Sequence, residues 1–524
     1  MTSSTYSTGS KWERTNLRLA ASSNSASGFS TGSAFDTADN ADSKDADDYY
    51  LCLPTSLDSS STMAVDDPNN DNDNHDDAQH QRSRRTRQLQ HLFELDLYLS
   101  SVPQLAASTR QLLQSSSSST NSTANNHHNN NSNNNNHKVI TSSNSGRVIN
   151  VLQGEMAHCT PTQADVLVSD DATTCHILGL WSHLGLDYSS STAHHRDRGN
   201  GKLATVAHID SPDYEDCIRD AVDLHYRYHS SQPSSSSSSS KQQQQHQTRL
   251  NGDDDSTIIL PVIELSIHLM GGYNDNEGTS HEITQGVLRA LSNISDDYIN
   301  RQQHHHQPRL QMILQTCAVS SSNDNGRGCP IGRGLALDVS LGKVYLAEVS
   351  GEDDVESSSS LLLDNSTTVV TTSTSAKGPD CLLRQARLWA SFIFNNGEND
   401  SNDDDNNKRR LQIIHHPNDE YLYISPFYFA SHPFPHRMLA LNDALLLQYT
   451  SSSPEVEKDN FVRCVRETFR YMNVTSCFHV FKKKKVMNED DDEKDYGLDD
   501  WWDDEDYLPR RYRRVGLNGW AAVA

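Results

Sequence analysis

Cys175 is the residue in this sequence best placed to do chemistry. It follows the short apolar run Val166-Leu167-Val168 and precedes another that contains Ile177, Leu178, Leu180 and Trp181. Nucleophilic work by a thiol needs a thiolate, a nearby base and amide donors for a developing oxyanion. A cysteine between a strand and the next element meets the last requirement, because turn N–H groups are free to point at negative charge. The competing reading is a small buried hydrophobe, which is what most cysteines are. Spacing alone does not separate the two. His176 is adjacent, but in an extended chain its side chain points to the opposite face, so it makes a poor base. His268 lies on a clean alternation from Val262 to Met270, opposite Ile263, Leu265, Ile267 and Leu269. It is expected to face solvent.

The elements that must hold such a site are mostly strands. Leu203 to Ile209, Leu310 to Val319, Leu411 to Ile414 and Tyr421 to Ile424 read as strands, and Leu335 to Leu346 as a hairpin around Ser340-Leu341-Gly342-Lys343. Gly271-Gly272 ends the strand that begins at Val262. Thr279 opens a helix, with Glu282 placed for a capping box and Ile283, Val287 and Leu291 as its buried stripe. A helix begins at Pro379-Asp380, and a last one runs from about Glu455 to Met472 with Phe461, Val465 and Phe469 on one face. These elements imply an α/β domain of sheets layered with a few helices.

The 524 residues carry a formal charge of -26, and only 34% are hydrophobic. Ser, Asn, Asp, Gln and His tracts dilute the chain, and such tracts bury too little apolar surface to offset the entropy of ordering. The expected organisation is a disordered extension over 1–91, one domain over 92–488, and an acidic and aromatic tail over 489–524. Inserts interrupt the domain near 115–137, 187–200, 230–250, 300–308, 351–378 and 395–409, as low-complexity expansion into surface loops would. The acidic runs read as solvated loops and argue against a nucleic-acid partner. Arg82 to Arg87 and Lys482 to Lys485 read as solvated basic patches, with nuclear import as the alternative. Nine cysteines without a C-x-x-C pair fit mostly free thiols in a reducing compartment, not a zinc site. The tracts containing His127-His128 and His304-His305-His306 have no fixed ligand spacing, so no metal is expected. No apolar run approaches the ~20 residues of a membrane span. The Ser/Thr-rich first thirty residues resemble a transit peptide only weakly.

The segment Ser169-Asp170-Asp171-Ala172-Thr173-Thr174-Cys175-His176-Ile177 resembles the signature of the protein N-terminal asparagine amidohydrolase family. Weaker resemblances follow in the same order: Val262 to Asp275, Leu335 to Val349, Ser425-Pro426-Phe427, Pro433-Phe434-Pro435-His436, and Phe461 to Met472. The resemblance implies an α-β-β layered sandwich and cysteine-dependent deamidation of N-terminal Asn to Asp. The family also resembles a bacterial chemoreceptor glutamine deamidase, whose site combines Cys, a downstream His and a hydroxyl residue. Carried onto this chain, Cys175 is the nucleophile, His208 the base and Ser169 the hydroxyl. Cys175 and His208 are further apart than the family spacing, and the excess falls in the Ser/His-rich stretch 187–200. A loop insert of that kind leaves the strand ends in place.

Selection of an N-terminal residue needs a partner for the substrate ammonium. Asp170, Asp171 and Asp210 are the nearby candidates, with turn capping as the alternative role of Asp170 and Asp171. The resemblance further implies no cofactor, proteins or peptides bearing N-terminal Asn as partners, no membrane, a monomer, a cytoplasmic place with a nuclear one as second, and entry into ubiquitin-dependent degradation. Two other readings share the motif: a cysteine deamidase acting on glutamine, and a non-catalytic adaptor that binds degradation substrates.

Overall fold

The computed structural model describes residues 12–19, 50–54, 95, 97–114, 146–185, 201–231, 261–275, 278–301, 308–326, 329–348, 370–371, 379–394, 410–483, 506–516 and 519–523. The basic stretch at Arg82, the two histidine tracts, the acidic runs at Asp253, Asp403 and Asp490, and most of each proposed insert lie outside these residues.

In chain order the elements begin with β1 (Trp12–Leu19), β2 (Tyr50–Pro54), α1 (Pro103–Gln114), β3 (Val148–Asn150), β4 (Glu155–Cys159), β5 (Val166–Ala172), β6 (His176–Gly185) and β7 (Lys202–Ile209). They continue with α2 (Glu215–Ser230), β8 (Val262–Gly271), α3 (Thr279–Arg301), β9 (Arg309–Val319), β10 (Arg333–Asp338), β11 (Val344–Glu348), β12 (Val370–Thr371) and α4 (Cys381–Phe394). The last are β13 (Gln412–His415), β14 (Tyr421–Ile424), α5 (Pro433–Leu439), α6 (Asp443–Thr450), α7 (Phe461–Val474), α8 (Cys477–Val480), β15 (Lys482–Lys483), β16 (Tyr507–Leu508), β17 (Arg510–Val515) and β18 (Gly519–Val523).

Two sheets organise the molecule. One has eleven strands in the order β18-β17-β14-β13-β4-β7-β6-β8-β9-β1-β2, and the other has five in the order β12-β11-β10-β5-β3. The two faces of the large sheet bury different sets of side chains. Leu178, Leu180, Ile209, Leu265, Ile267 and Leu269 pack with α2 and α3 through Ile218, Val222, Val287 and Leu291. Ile177, Trp181, Val206 and Met270 pack against Leu167, Leu335 and Leu337 of the small sheet. The layering is therefore helices, large sheet, small sheet, as expected of an α/β sandwich.

That layering corrects the reading of His268. It is 5% exposed, its Nδ1 lies 3.0 Å from Thr316 Oγ1, and its Cβ packs over Gly179. The alternation along β8 was real, with Glu264 and Ser266 only partly buried, but at His268 the same face is covered by protein.

The termini depart from the expected extension and tail. β1 and β2 stand at one end of the large sheet and β17 and β18 at the other, with Leu17, Leu19 and Leu51 almost wholly buried. Alternation over so few residues is easily lost in Ser- and Asp-rich surroundings. Two helix starts also differ. Asp275, not a box at Thr279, caps α3: its carboxylate accepts from the N–H groups of Thr279 at 3.0 Å and Ser280 at 2.6 Å. The last long helix begins at Phe461, because Ser453-Pro454 turns the chain through a short 3₁₀ segment, Pro454–Val456.

Candidate active site

β5 extends further than its apolar run suggested, so Ser169, Asp170 and Asp171 are strand residues. Only Thr173 to Cys175 form the turn into β6. The strand is bulged: Leu335 pairs with Ser169 and Arg333 with Ala172, so two residues of β5 oppose Gly334. Asp171 adopts φ 58°, a conformation that short polar side chains tolerate at such bulges. A Cβ on Gly334 would lie 3.0 Å from Asp170 Cα and 2.3 Å from Ala347 O, so the bulge needs glycine opposite it. The bulge and the turn together bring the chain from the small sheet into the large one at Cys175.

β7 brings His208. It pairs directly with Ile177, so both side chains point toward the small sheet, while His176 pairs with Ile209 and points the other way. Cys175 closes the turn one residue before His176, at the end of the strand that runs beside His208. His176 is engaged elsewhere. Its Nε2–H donates to Thr284 Oγ1 at 2.7 Å, and the Thr284 hydroxyl donates to Ser280 O at 2.9 Å. His176 is an anchor between β6 and α3, as the strand alternation implied.

Ser169 and His208 are joined. Ser169 Oγ donates to Val151 O at 2.7 Å and stands 2.8 Å from His208 Nδ1. The hydroxyl proton is committed to the carbonyl, so Nδ1 must carry the hydrogen and Nε2 the lone pair. His208 Nε2 is buried without a hydrogen-bond partner among the described residues, Cys175 Sγ included. Burial holds the imidazole down at about 4, against the opposing pull of Asp210, Asp171 and Glu155. Burial pushes the Cys175 thiol above its usual range, and Asp210 and Glu457 add to this. The Thr174 hydroxyl and the thiol's own backbone N–H act in the other direction. The resting pair is therefore thiol and neutral imidazole.

The three aspartates proposed for substrate binding are all occupied. Lys458 Nζ lies 2.8 Å from Asp171 and 3.5 Å from Asp170. Asp210 accepts from Tyr214 Oη at 2.7 Å and Gln153 Nε2 at 3.0 Å. Sequence reasoning missed a fourth carboxylate, Glu457, in the loop between the 3₁₀ turn and α7. Burial raises its carboxyl above the usual range, the hydrogen bond from Ser451 lowers it, and Asp171 is among its charged neighbours. The same loop touches the turn of the nucleophile, with Ser452 Oγ 3.1 Å from Thr174 Oγ1. Extending the last helix back to Glu455 had hidden Glu457 inside it. Pro454 and the pair Asp459-Asn460 were the signals for a loop there. Among the described residues no group of three or more His, Cys, Asp or Glu is arranged to hold a metal ion.

A layered α/β fold that sets a thiol at a strand end, next to the strand that carries an imidazole with an unpartnered Nε2 and a hydroxyl behind it, supplies the parts that cysteine-dependent amide hydrolysis requires. A family model described as protein N-terminal asparagine amidohydrolase matches residues 138–237, 252–355 and 361–494. The chain belongs to that family, which makes it a hydrolase acting on a linear amide. The pig protein N-terminal asparagine amidohydrolase (Sus scrofa) is 25% identical over 332 residues, covering 62% of this chain and 74% of its own. The human protein of the same name (Homo sapiens) is 23% identical over the same share of each chain. The two breaks in the family match fall in the Ser/Gln-rich and Ser-rich stretches read as inserts.

Proposed function

We propose that this protein hydrolyses the side-chain amide of an N-terminal asparagine, with Cys175 as nucleophile, His208 as base and Ser169 as the group that orients it. The observation that carries the reading is the Ser169–His208 pair, which leaves a lone pair on Nε2 at the strand end that bears Cys175. His208 Nε2 takes the thiol proton as sulfur attacks the amide carbon. The oxyanion is held by N–H groups of the turn, that of Cys175 foremost. His208 returns the proton to the departing nitrogen, which leaves as ammonia, and a thioester remains. Water, deprotonated by His208, then splits the thioester to give the Asp carboxyl and restore the thiol.

Recognition of the terminus falls to Glu457. Asp170 and Asp171 already face Lys458 and Asp210 is held by two donors; Glu457 takes a hydrogen bond from Ser451 and feels Lys458 through space only, and it is a partly desolvated carboxylate whose charge acts on Cys175. A substrate α-ammonium beside it would restore the charge balance, and an internal Asn has no ammonium to offer. The product, an N-terminal Asp, is a substrate for arginylation ahead of ubiquitin-dependent degradation, as the family resemblance implies.

The deciding assay measures ammonia released from a peptide starting with Asn, set beside its N-acetylated form, a Gln-starting peptide and an internal-Asn peptide. Release from the first alone is expected. Cys175→Ala should abolish it in a folded protein, and wild-type turnover by that variant would overturn the assignment.

A further inference from the structure

Asn323, at the end of the 3₁₀ turn Ser320–Asn323 that follows β9, is a fully buried amide beside the catalytic strand ends. Its Nδ2 donates to Ala318 O at 2.7 Å, Gly271 O at 2.9 Å and Gly272 O at 3.0 Å. Two hydrogens serve three carbonyls, so one is shared. The opposite amide orientation would set an oxygen against three oxygens, so the assignment follows from the partners. Ser320 is turned to φ 48° to bring the amide back under the end of its own strand.

The carbonyls it gathers belong to a turn that touches the nucleophile. Gly271 and Gly272 adopt φ 118° and 67°, and Gly272 N–H donates to Cys175 O at 2.9 Å. A Cβ on Gly271 would lie 2.3 Å from Cys175 O, and one on Gly272 2.5 Å from the His176 ring. The turn thus lies directly on the peptide that joins Cys175 to His176. That peptide fixes ψ of Cys175, and so the direction of its Cα–Cβ bond relative to His208.

We propose that Asn323 is a positioning residue for the nucleophile: it locks the Gly271-Gly272 turn, which holds the Cys175 carbonyl and so aims the sulfur. This rests on Cys175 being the nucleophile, as proposed above. Asn323 touches no reacting atom. Its effect passes through one backbone hydrogen bond, from Gly272 N–H to Cys175 O. Unmade hydrogen bonds at buried carbonyls also cost stability, so the test must separate aim from stability.

Asn323→Ser and Asn323→Asp are compared with the wild type, and with Ile294→Val as a control that loosens the helical layer away from the site. Three quantities are read well below the unfolding temperature: kcat and KM for an Asn-starting peptide, and the rate of Cys175 alkylation by iodoacetamide. Positioning predicts kcat lowered about 10-fold or more in both variants with KM within about 2-fold, since misplacement of reacting groups acts on the chemical step. The alkylation rate should also change, while Ile294→Val leaves all three unaltered. A lowered unfolding temperature with wild-type kcat and alkylation would overturn the proposal. If neither variant folds, hydrogen exchange on the wild type decides. Protection of the Gly272 amide equal to that of mid-β8 supports the clamp, and exchange at loop rates overturns it. Exchange and alkylation need no turnover, so they stand even if wild-type protein releases no ammonia from Asn peptides.

Discussion

His208 Nδ1–H donates to Ser169 Oγ across 2.8 Å, and because that hydroxyl spends its own proton on Val151 O, the imidazole is held in a single tautomer. The consequence is a base whose free nitrogen is set by a residue on the other sheet. Ser169→Ala would leave Nδ1–H and Val151 O without partners. Turnover should fall roughly 10- to 100-fold with KM little changed, in line with the usual worth of an oriented general base. Stability should drop by about 1–3 kcal/mol, the cost of buried polar groups left unpaired. Steady-state kinetics and urea unfolding check the two halves separately.

The protonation states of the resting pair make a second prediction. Cys175 is pushed up and His208 held down to about 4, so near neutral pH the thiol keeps its proton and the imidazole is uncharged. The alkylation rate of Cys175 should therefore climb steadily from pH 6 to pH 9, following thiolate formation. A preformed thiolate–imidazolium pair would instead give a rate already flat in that range.

Much of this site was legible because its parts are local in sequence. Ser169 and Cys175 share one short segment, and strand alternation alone places His176 on the wrong face to act as base. The insert between Cys175 and His208 did no harm, since β6 and β7 pair residue for residue across it. What sequence could not show was mutual occupancy. Asp170 and Asp171 look like free carboxylates until Lys458, far along the chain, is seen against them. The bulge that uses them depends on Gly334 of β10, a partner no local pattern names. Glu457 and Asn323 were missed for the same reason: each matters through long-range contacts, and neither lies in the signature segment. The burial of His268 was misjudged because periodicity reports two faces and not what covers them.

Glu457 and Asp171 should behave differently when neutralised. Glu457→Gln removes a charge that no base pairs completely, and KM for an Asn-starting peptide should rise about 10- to 100-fold, equivalent to about 1.4–2.8 kcal/mol of lost binding. The variant should also lose most of its preference for a free over an acetylated terminus. Asp171→Asn removes a charge already facing Lys458, so its effect on KM should stay within about threefold, as for other partly exposed ion pairs. Equal KM values for Glu457→Gln and wild type would exclude Glu457 from ammonium recognition.

Buried neutral histidines should make the fold sensitive to mild acid. Burial holds His158 and His176 down at about 3, and His208, His229, His268 and His415 at about 4, with His225 well below its ordinary value. Four polar contacts build a row under α2: His158 to Thr205 at 2.7 Å, Thr205 to His225 at 2.8 Å, His225 to Ser182 at 2.6 Å, and Ser182 to His229 at 2.8 Å. Between about pH 6.5 and pH 4 the unfolded chain binds protons at these positions and the folded chain does not. Unfolding free energy therefore rises with pH across that window and falls as pH drops. Each fully depressed histidine removes about 1.4 kcal/mol per pH unit below 6.5, and the loss ends once the folded-state value is passed. Several such groups acting together should bring unfolding forward to near pH 5. Urea midpoints at pH 7.5, 6.5 and 5.5 should decline steeply, and His225→Gln should flatten that decline by about one histidine's share even where it lowers stability at neutral pH. Midpoints constant from pH 7.5 to 5.5 would mean that these rings take up protons in the folded protein as readily as in the unfolded chain, against the hydrogen-bond pattern that holds them.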